Sequence, residues 1–294
     1  MTKSPVVAGN EDGSSITVHL QGAHLTNWRR REGDELLYTS PKAVYKEGVP
    51  IRGGVPIIFP QFGNMGPLPP HGFARVRPWT VNEIKNGSAS FKLDVPLQEL
   101  LGHDSGIDRD SSTGQADPAA ATNVAELVYT ITFSNSKLDL HMEVLNKDPV
   151  TVAEFTFAFH TYFAVGDVEK TVVEGVNMTS YIDNMRPRQG VLPPKRLWTI
   201  KKETDRTYLN QACAVLLVDG MKGRTIYVSG ENLPDVVVWN PHVEKTLRLK
   251  DLPADGYKEF VCVEHGTIAK RVKLQPLLVW SAHQHIIVLP RSKM

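Results

Sequence analysis

The 294-residue chain predicts an all-β protein: a large antiparallel β-sandwich with few short helices. Three observations carry this. Segments of strand length recur from end to end, alternating in polarity and rich in β-branched and aromatic residues. Only "LQELLG", at 97–102, has a helical pattern. Turn signals such as Asn86-Gly87 and Asp255-Gly256 separate the strands, and strands without helical partners argue against βαβ units.

In chain order, "SITVHL" (15–20) and "SFKLDV" (90–95) alternate as half-buried strands. The stretch 102–122, "GHDSGIDRDSSTGQADPAAAT", is rich in Ser, Gly, Asp and Ala and reads as a mobile surface loop inserted between strands. "ELVYTITF" (126–133) and "KLDLHMEVL" (137–145) resume the alternation. In the latter Leu138, Leu140, Met142 and Val144 share the core face, and Asp139, His141 and Glu143 the solvent face. "TIYVSG" (225–230), "DVVVWN" (235–240) and "HIIVLP" (285–290) complete the set. No internal repeat is evident, and residues 1–294 are expected to form one domain.

Composition limits the function classes. The chain is 41% hydrophobic and carries 33 Lys+Arg against 32 Asp+Glu, so no basic excess points to nucleic acid. Arg29, Arg30 and Arg31 are followed by Glu32, Asp34 and Glu35 and read as a solvated turn. No apolar run reaches membrane-spanning length, and no secretory leader pattern is present. Two cysteines, Cys213 and Cys262, suit a reducing compartment. The terminal Ser292-Lys293-Met294 resembles the peroxisomal Ser-Lys-Leu signal, a random polar tail being the equal alternative. The expected location is therefore the cytoplasm or a peroxisome- or glycosome-like organelle.

"FTFAFHTYF" (155–163) is the most informative strand. Phe155, Phe157, Phe159 and Phe163 share one face with Thr161 and are expected to pack into the core. The other face holds Thr156, Ala158, His160 and Tyr162, uncharged and too small to fill a core. That suggests a concave site whose volume something else supplies. A core histidine bonded to a carbonyl explains His160 equally well from this strand alone. A second titratable group is wanted, and "KEFVCVEHG" (258–266) offers Glu264, at the end of an apolar strand just before a glycine turn.

"IRGGVPIIFPQFGNMGPLPPHGFAR" (51–75) is dense in Gly and Pro yet strongly apolar, as in a segment folded back to line a pocket. Arg52 precedes two glycines, whose bare backbone would permit close approach of a ligand. Arg52 and Arg75 suit a phosphate or carboxylate, since the guanidinium fork matches planar oxygens, and His71 lies nearby in sequence. Pairing with acidic neighbours at the rim is the competing explanation. Trp79 and Trp239 offer flat faces to a sugar, and Asp205 in "KETDRTYL" is either a hydroxyl acceptor or an exposed turn carboxylate. His283 and His285 share a strand face, but no third metal ligand is evident from the sequence.

Taken in order, "RGGVPIIFPQFG", "HGFAR" followed by Trp79, "FAFHTYF", "KETDRTY", "LPDVVVWNP" and "FVCVEHG" resemble the glucose-6-phosphate 1-epimerases of the aldose 1-epimerase superfamily, across roughly residues 15–285. The resemblance implies a galactose mutarotase-like supersandwich and cofactor-independent, metal-free exchange of hexose 6-phosphate anomers. It implies that His160 and Glu264 form the catalytic pair, that Arg52 and Arg75 hold the phosphate with His71 nearby, and that Asp205 binds hydroxyls. The expected partner is a small hexose phosphate, not nucleic acid or a membrane, with the chain a monomer. One departure stands out: the family's glutamate is commonly followed by Pro-Gly, here His265-Gly266. Two alternatives stay open: a mutarotase for unphosphorylated aldoses, and a non-catalytic sugar-binding protein. A glycosidase would want two carboxylates, where the apparent pair is one Glu and one His.

Overall fold

Period-two burial sorts the described residues (4–100, 124–195, 199–211 and 213–290) of this computed structural model into antiparallel sheets. The expected loop at 102–122 and the Ser-Lys-Met tail lie outside the described residues. An eight-stranded sheet runs in the order β10 (Thr171–Glu174), β14 (Val215–Asp219), β15 (Arg224–Glu231), β18 (Val279–Pro290), β8 (Lys137–Asn146), β7 (Val124–Phe133), β6 (Ser88–Pro96) and β5 (Thr80–Lys85). A seven-stranded sheet runs β12 (Val191–Leu192), β11 (Tyr181–Asp183), β13 (Thr204–Tyr208), β16 (Asp235–Asn240), β17 (Phe260–Leu274), β9 (Ala153–Ala164) and β4 (Ile57–Ile58). A three-stranded sheet holds β1 (Val6–Gly9), β2 (Ser15–His19) and β3 (His24–Arg29).

The two large sheets face each other across an aromatic core. The rings of Phe155 and Phe157 on β9 each lie 5.3 Å from Trp280 on β18. Phe159 lies 5.8 Å from Tyr129 on β7. Thr161, the polar member of that face, donates to Gln284 of β18 across the interior at 2.5 Å. Each fully buried phenylalanine contributes about 1.5–3 kcal/mol, so the core face clamps β9 in place. On the opposite face His160 and Tyr162 open onto a concavity, whereas Thr156 and Ala158, expected to face it as well, are buried beneath Phe62, whose N–H donates to the Thr156 hydroxyl at 2.8 Å.

Several local expectations are corrected. The described part of "LQELLG", residues 97–100, holds one 3-10 turn, Leu97–Glu99, and the α-helix among the described residues is α1 (His242–Thr246). Asp255-Gly256 lies at a turn, as expected, and leads through a 3-10 turn, Gly256–Glu259, directly into β17. Glu264 is not at a strand end, because β17 continues to Leu274. Gly266 makes no turn: it stays paired with Ala158, and a Cβ there would meet the Phe157 carbonyl oxygen at 2.5 Å. No described helix is long and apolar enough to cross a membrane.

Candidate active site

β9, β17, β16 and β13 are successive neighbours, so their outward side chains form one wall. The register sets Glu264 opposite His160 on β9 and opposite Val237 on β16, and Asp205 opposite Trp239. The segment 51–75 closes the other side. A cavity of about 580 Å³ results, and Arg52, His71, Arg75, His160, Asp205 and Glu264 all line it.

His160 and Glu264 are both buried, at 7% and 2% exposure, yet they open onto this cavity. Nδ1 of His160 lies 3.3 Å from Oε1 of Glu264, out of line for a hydrogen bond. Neither Nδ1 of His160 nor Oε2 of Glu264 has a protein partner. Buried polar atoms left this way are costly, about 1–3 kcal/mol each. Their persistence beside a cavity marks a place prepared for a polar ligand. Burial pushes Glu264 well above its ordinary pKa, and the charge of Asp205 adds to this. Burial pushes His160 well below its own, with His71, Arg75 and Arg52 adding to that effect. Both shifts favour the uncharged forms, a protonated carboxyl and a neutral imidazole, over the charged pair.

The ring of His160 stacks on Tyr162 at 4.8 Å and meets Trp239 edge-on at 5.8 Å. Trp239 thus lines the cavity, whereas Trp79 does not: it is core, and its indole N–H donates to the Ala74 carbonyl at 3.0 Å.

The two arginines differ. Arg52 donates from Nε to Asp251 at 3.1 Å and from Nη1 to the Tyr162 hydroxyl at 3.2 Å. Burial opposes its charge, but Tyr162 and Asp251 outweigh that and push its pKa up. Arg75 donates to the Pro70 carbonyl at 2.6 Å, and its buried Nε has no partner. Burial and the charge of Arg52 pull the Arg75 pKa down to about 10. Arg52 follows the acidic-neighbour explanation, and Arg75 is the undercompensated cation that an anion would relieve.

Gly53 and Gly54 do not serve a ligand. Both have positive φ, +108° and +59°, and a Cβ would strike Tyr38 and Thr39 or the Leu25 carbonyl at 2.2–2.4 Å. They let the chain pass close to its own backbone and so aim Arg52.

His71 also has a left-handed backbone, φ +68°, and its ring lies 5.7 Å from that of His160. Burial, Arg75 and Arg52 pull its pKa down to about 3, so it is a neutral polar group. Its Nδ1 accepts from the Gly63 N–H at 3.4 Å, which leaves the proton on Nε2. Asp205 is half-buried on a strand, not in a turn, and accepts from Asn184 at 2.7 Å. Burial raises its pKa.

Five lining residues escaped the sequence reading: Asn184, Thr207, Val237, Lys245 and Leu249. Only Lys245 carries charge, and it sits on α1, where no helix was expected. His160, Cys262 and Glu264 also bring possible metal ligands within 4.8 Å of one another. Burial holds the Cys262 thiol well above its ordinary pKa, so it is a poor thiolate source. A second cavity of about 550 Å³ shares Asp205 and is lined by charges of both signs, including Asp183, Arg186, Lys202, Glu203 and Arg206. It contains no buried acid–base pair of the His160–Glu264 kind.

Comparison with known proteins agrees with the wall of strands and its cavity. The family model described as aldose 1-epimerase matches residues 5–286. A curated protein from Cenchrus ciliaris named "Putative glucose-6-phosphate 1-epimerase" is 30% identical over 277 residues, covering 94% of this chain and 82% of its own. A protein of the same name from Escherichia coli (strain K12) is 34% identical over 257 residues, covering 87% and 80%. Among solved structures, a "putative mutarotase" from Salmonella typhimurium superposes with a TM-score of 0.79 at 27% identity, covering 98% of this chain and 90% of its own. A galactose mutarotase-like protein from Lactobacillus casei shares the fold, with a TM-score of 0.69 at 15% identity, covering 97% and 100%.

Proposed function

The chain belongs to the aldose 1-epimerase family of isomerases, and from that premise we propose that it interconverts the α and β anomers of hexose 6-phosphates, glucose 6-phosphate foremost. The whole chain acts as one catalytic domain and needs no cofactor. The observation that carries the reading is a buried acid–base pair sharing one cavity with the uncompensated guanidinium of Arg75. The names of the relatives point to the same ester.

In this mechanism Glu264, as carboxylate, takes the proton from the anomeric hydroxyl. The freed electron pair forms the C1 carbonyl, the bond from C1 to the ring oxygen breaks, and that oxygen takes a proton from His160. Rotation about C1–C2 and closure with the roles reversed give the other anomer. The pair must carry one proton in total. Burial of the two groups favours that proton on Glu264. A phosphate dianion against Arg75 and Arg52 offsets the cations that disfavour imidazolium, and so favours transfer to His160. Each placed proton transfer supplies about 10²–10⁴-fold. Arg75 and Arg52 anchor the ester, and Asp205, with Asn184 behind it, accepts sugar hydroxyls.

A second reading, an unphosphorylated aldose as substrate, draws support from the engagement of Arg52 with Asp251. Magnetisation-transfer NMR on equilibrated glucose 6-phosphate, with glucose in parallel, separates the two. Faster exchange of the ester alone supports the proposal. Equal acceleration of both sugars favours the second reading. Acceleration of neither overturns both in favour of a non-catalytic sugar-binding protein.

A further inference from the structure

The outer face of the eight-stranded sheet holds a histidine and carboxylate cluster far removed in kind from the sugar cavity. It is independent of the proposed reaction. On β18, Ala282, Gln284 and Ile286 point into the core, which leaves His283 and His285 side by side on the outside. β8 lies alongside, with His141 opposite His283 and Asp139 opposite His285. On the other flank β15 sets Glu231 opposite His283. The third ligand missing from the sequence reading is thus supplied by a strand about 140 residues earlier in the chain.

One carboxylate serves both rings. Asp139 Oδ1 lies 3.0 Å from Nδ1 of His283, and Oδ2 lies 2.5 Å from Nδ1 of His285. The ligand atoms of all three residues fall within 4.8 Å of one another. Their surroundings pre-set the rings. His283 stacks on His141 at 4.0 Å with the planes 8° apart, and on His285 at 5.2 Å and 13°. The far nitrogen of His285, Nε2, faces the Glu231 carboxylate at 3.7 Å. As it stands Asp139 accepts from both Nδ1 atoms, so a metal bound there would displace those two protons. The Glu231 carboxylate would then hold the remaining proton on Nε2 of His285, the outer-shell pattern that orients metal-binding histidines.

We propose that Asp139, His283 and His285 form a binding site for a divalent metal of the Zn²⁺ class, with Glu231 as the orienting residue. Metal–ligand bonds of about 2.0–2.1 Å in a tetrahedron set ligand atoms about 3.3 Å apart. The existing 2.5 and 3.0 Å contacts would open by less than about 1 Å, ligand atoms spread over up to 4.8 Å would close by up to about 1.5 Å, and the side chains are only half-buried. Water completes the fourth position. The site acts as a staple between β8 and β18, and it stabilises the folded chain by mass action.

The test uses the full chain, stripped with chelator, titrated with ZnCl₂ by calorimetry and by thermal melting. The expected result is one equivalent bound with a rise in Tm. His285→Ala and Asp139→Asn should each remove both effects while leaving the metal-free Tm near that of the parent. Glu231→Gln should weaken binding by roughly 10–100-fold. Absence of binding overturns the proposal. So does binding that survives both ligand substitutions, or that is lost on His160→Ala or Cys262→Ala instead, which would locate the metal in the sugar cavity.

Discussion

Glu264 and His160 face each other across one rung of the β17–β9 ladder, with Oε1 and Nδ1 3.3 Å apart. Each is held by a strand paired on both sides, so neither needs a rigid turn to fix it. That explains how His265 can stand where the family commonly has proline. It is buried within β17, its Nδ1 lies 3.1 Å from Nε2 of Gln284, and Gln284 in turn accepts from Thr161 of β9.

From this pairing, His160→Ala and Glu264→Gln should each lower kcat for anomer exchange by about 10²–10⁴-fold with little change in KM. The double variant should lose little more than the worse single one, because the two act as a unit. Additive losses, measured by the same NMR exchange, would argue against a shared proton.

The pH profile of kcat/KM should be bell-shaped. The acid limb reports a second proton entering the pair, at His160. Since burial and nearby cations hold that group well below its ordinary 6.5, the limb should lie below that value. The alkaline limb reports loss of the shared proton from Glu264, held well above its ordinary 4.5. Phosphorus chemical shifts in the same samples separate out the ester's own titration near pH 6. An acid limb above 6.5 would contradict the assignment.

Arg75→Ala should raise KM for glucose 6-phosphate by roughly ten- to a hundredfold and leave glucose kinetics unchanged, as expected for loss of a charge-assisted contact. Arg52→Lys should behave as a loss rather than a conservative change. A single ammonium cannot serve Asp251, Tyr162 and a phosphate together.

Glu264→Gln should also raise thermal stability. The folded state keeps this carboxyl protonated above its unfolded value, so its stabilising contribution is complete below about pH 4.5 and is lost as pH rises towards the raised folded pKa. Glutamine has no proton to lose. The gain in Tm over the parent should therefore grow from pH 4.5 upward, at roughly 2–4 °C per kcal/mol recovered. A gain independent of pH would point to packing instead.

Gly54→Ala should cost about 1–3 kcal/mol, because the residue sits at φ +59° with the Leu25 carbonyl 2.2 Å from any Cβ. Chemical denaturation measures this directly. The surviving folded protein should bind the phosphate ester more weakly, since the same backbone aims Arg52.

Alternation alone determined which residues of "FTFAFHTYF" share a face, because a strand's period of two is a local property of the backbone. The same holds for the Leu138–Val144 face of β8 and for the apolar, Gly- and Pro-rich character of 51–75. Tertiary structure decided what stands across from each face. The register that sets Glu264 beside His160, the partnering of Arg52 by Asp251 almost 200 residues away, and the meeting of Asp139 with His283 and His285 are all non-local. Local periodicity carries no record of such pairings, because they depend on which strands become neighbours and in what register.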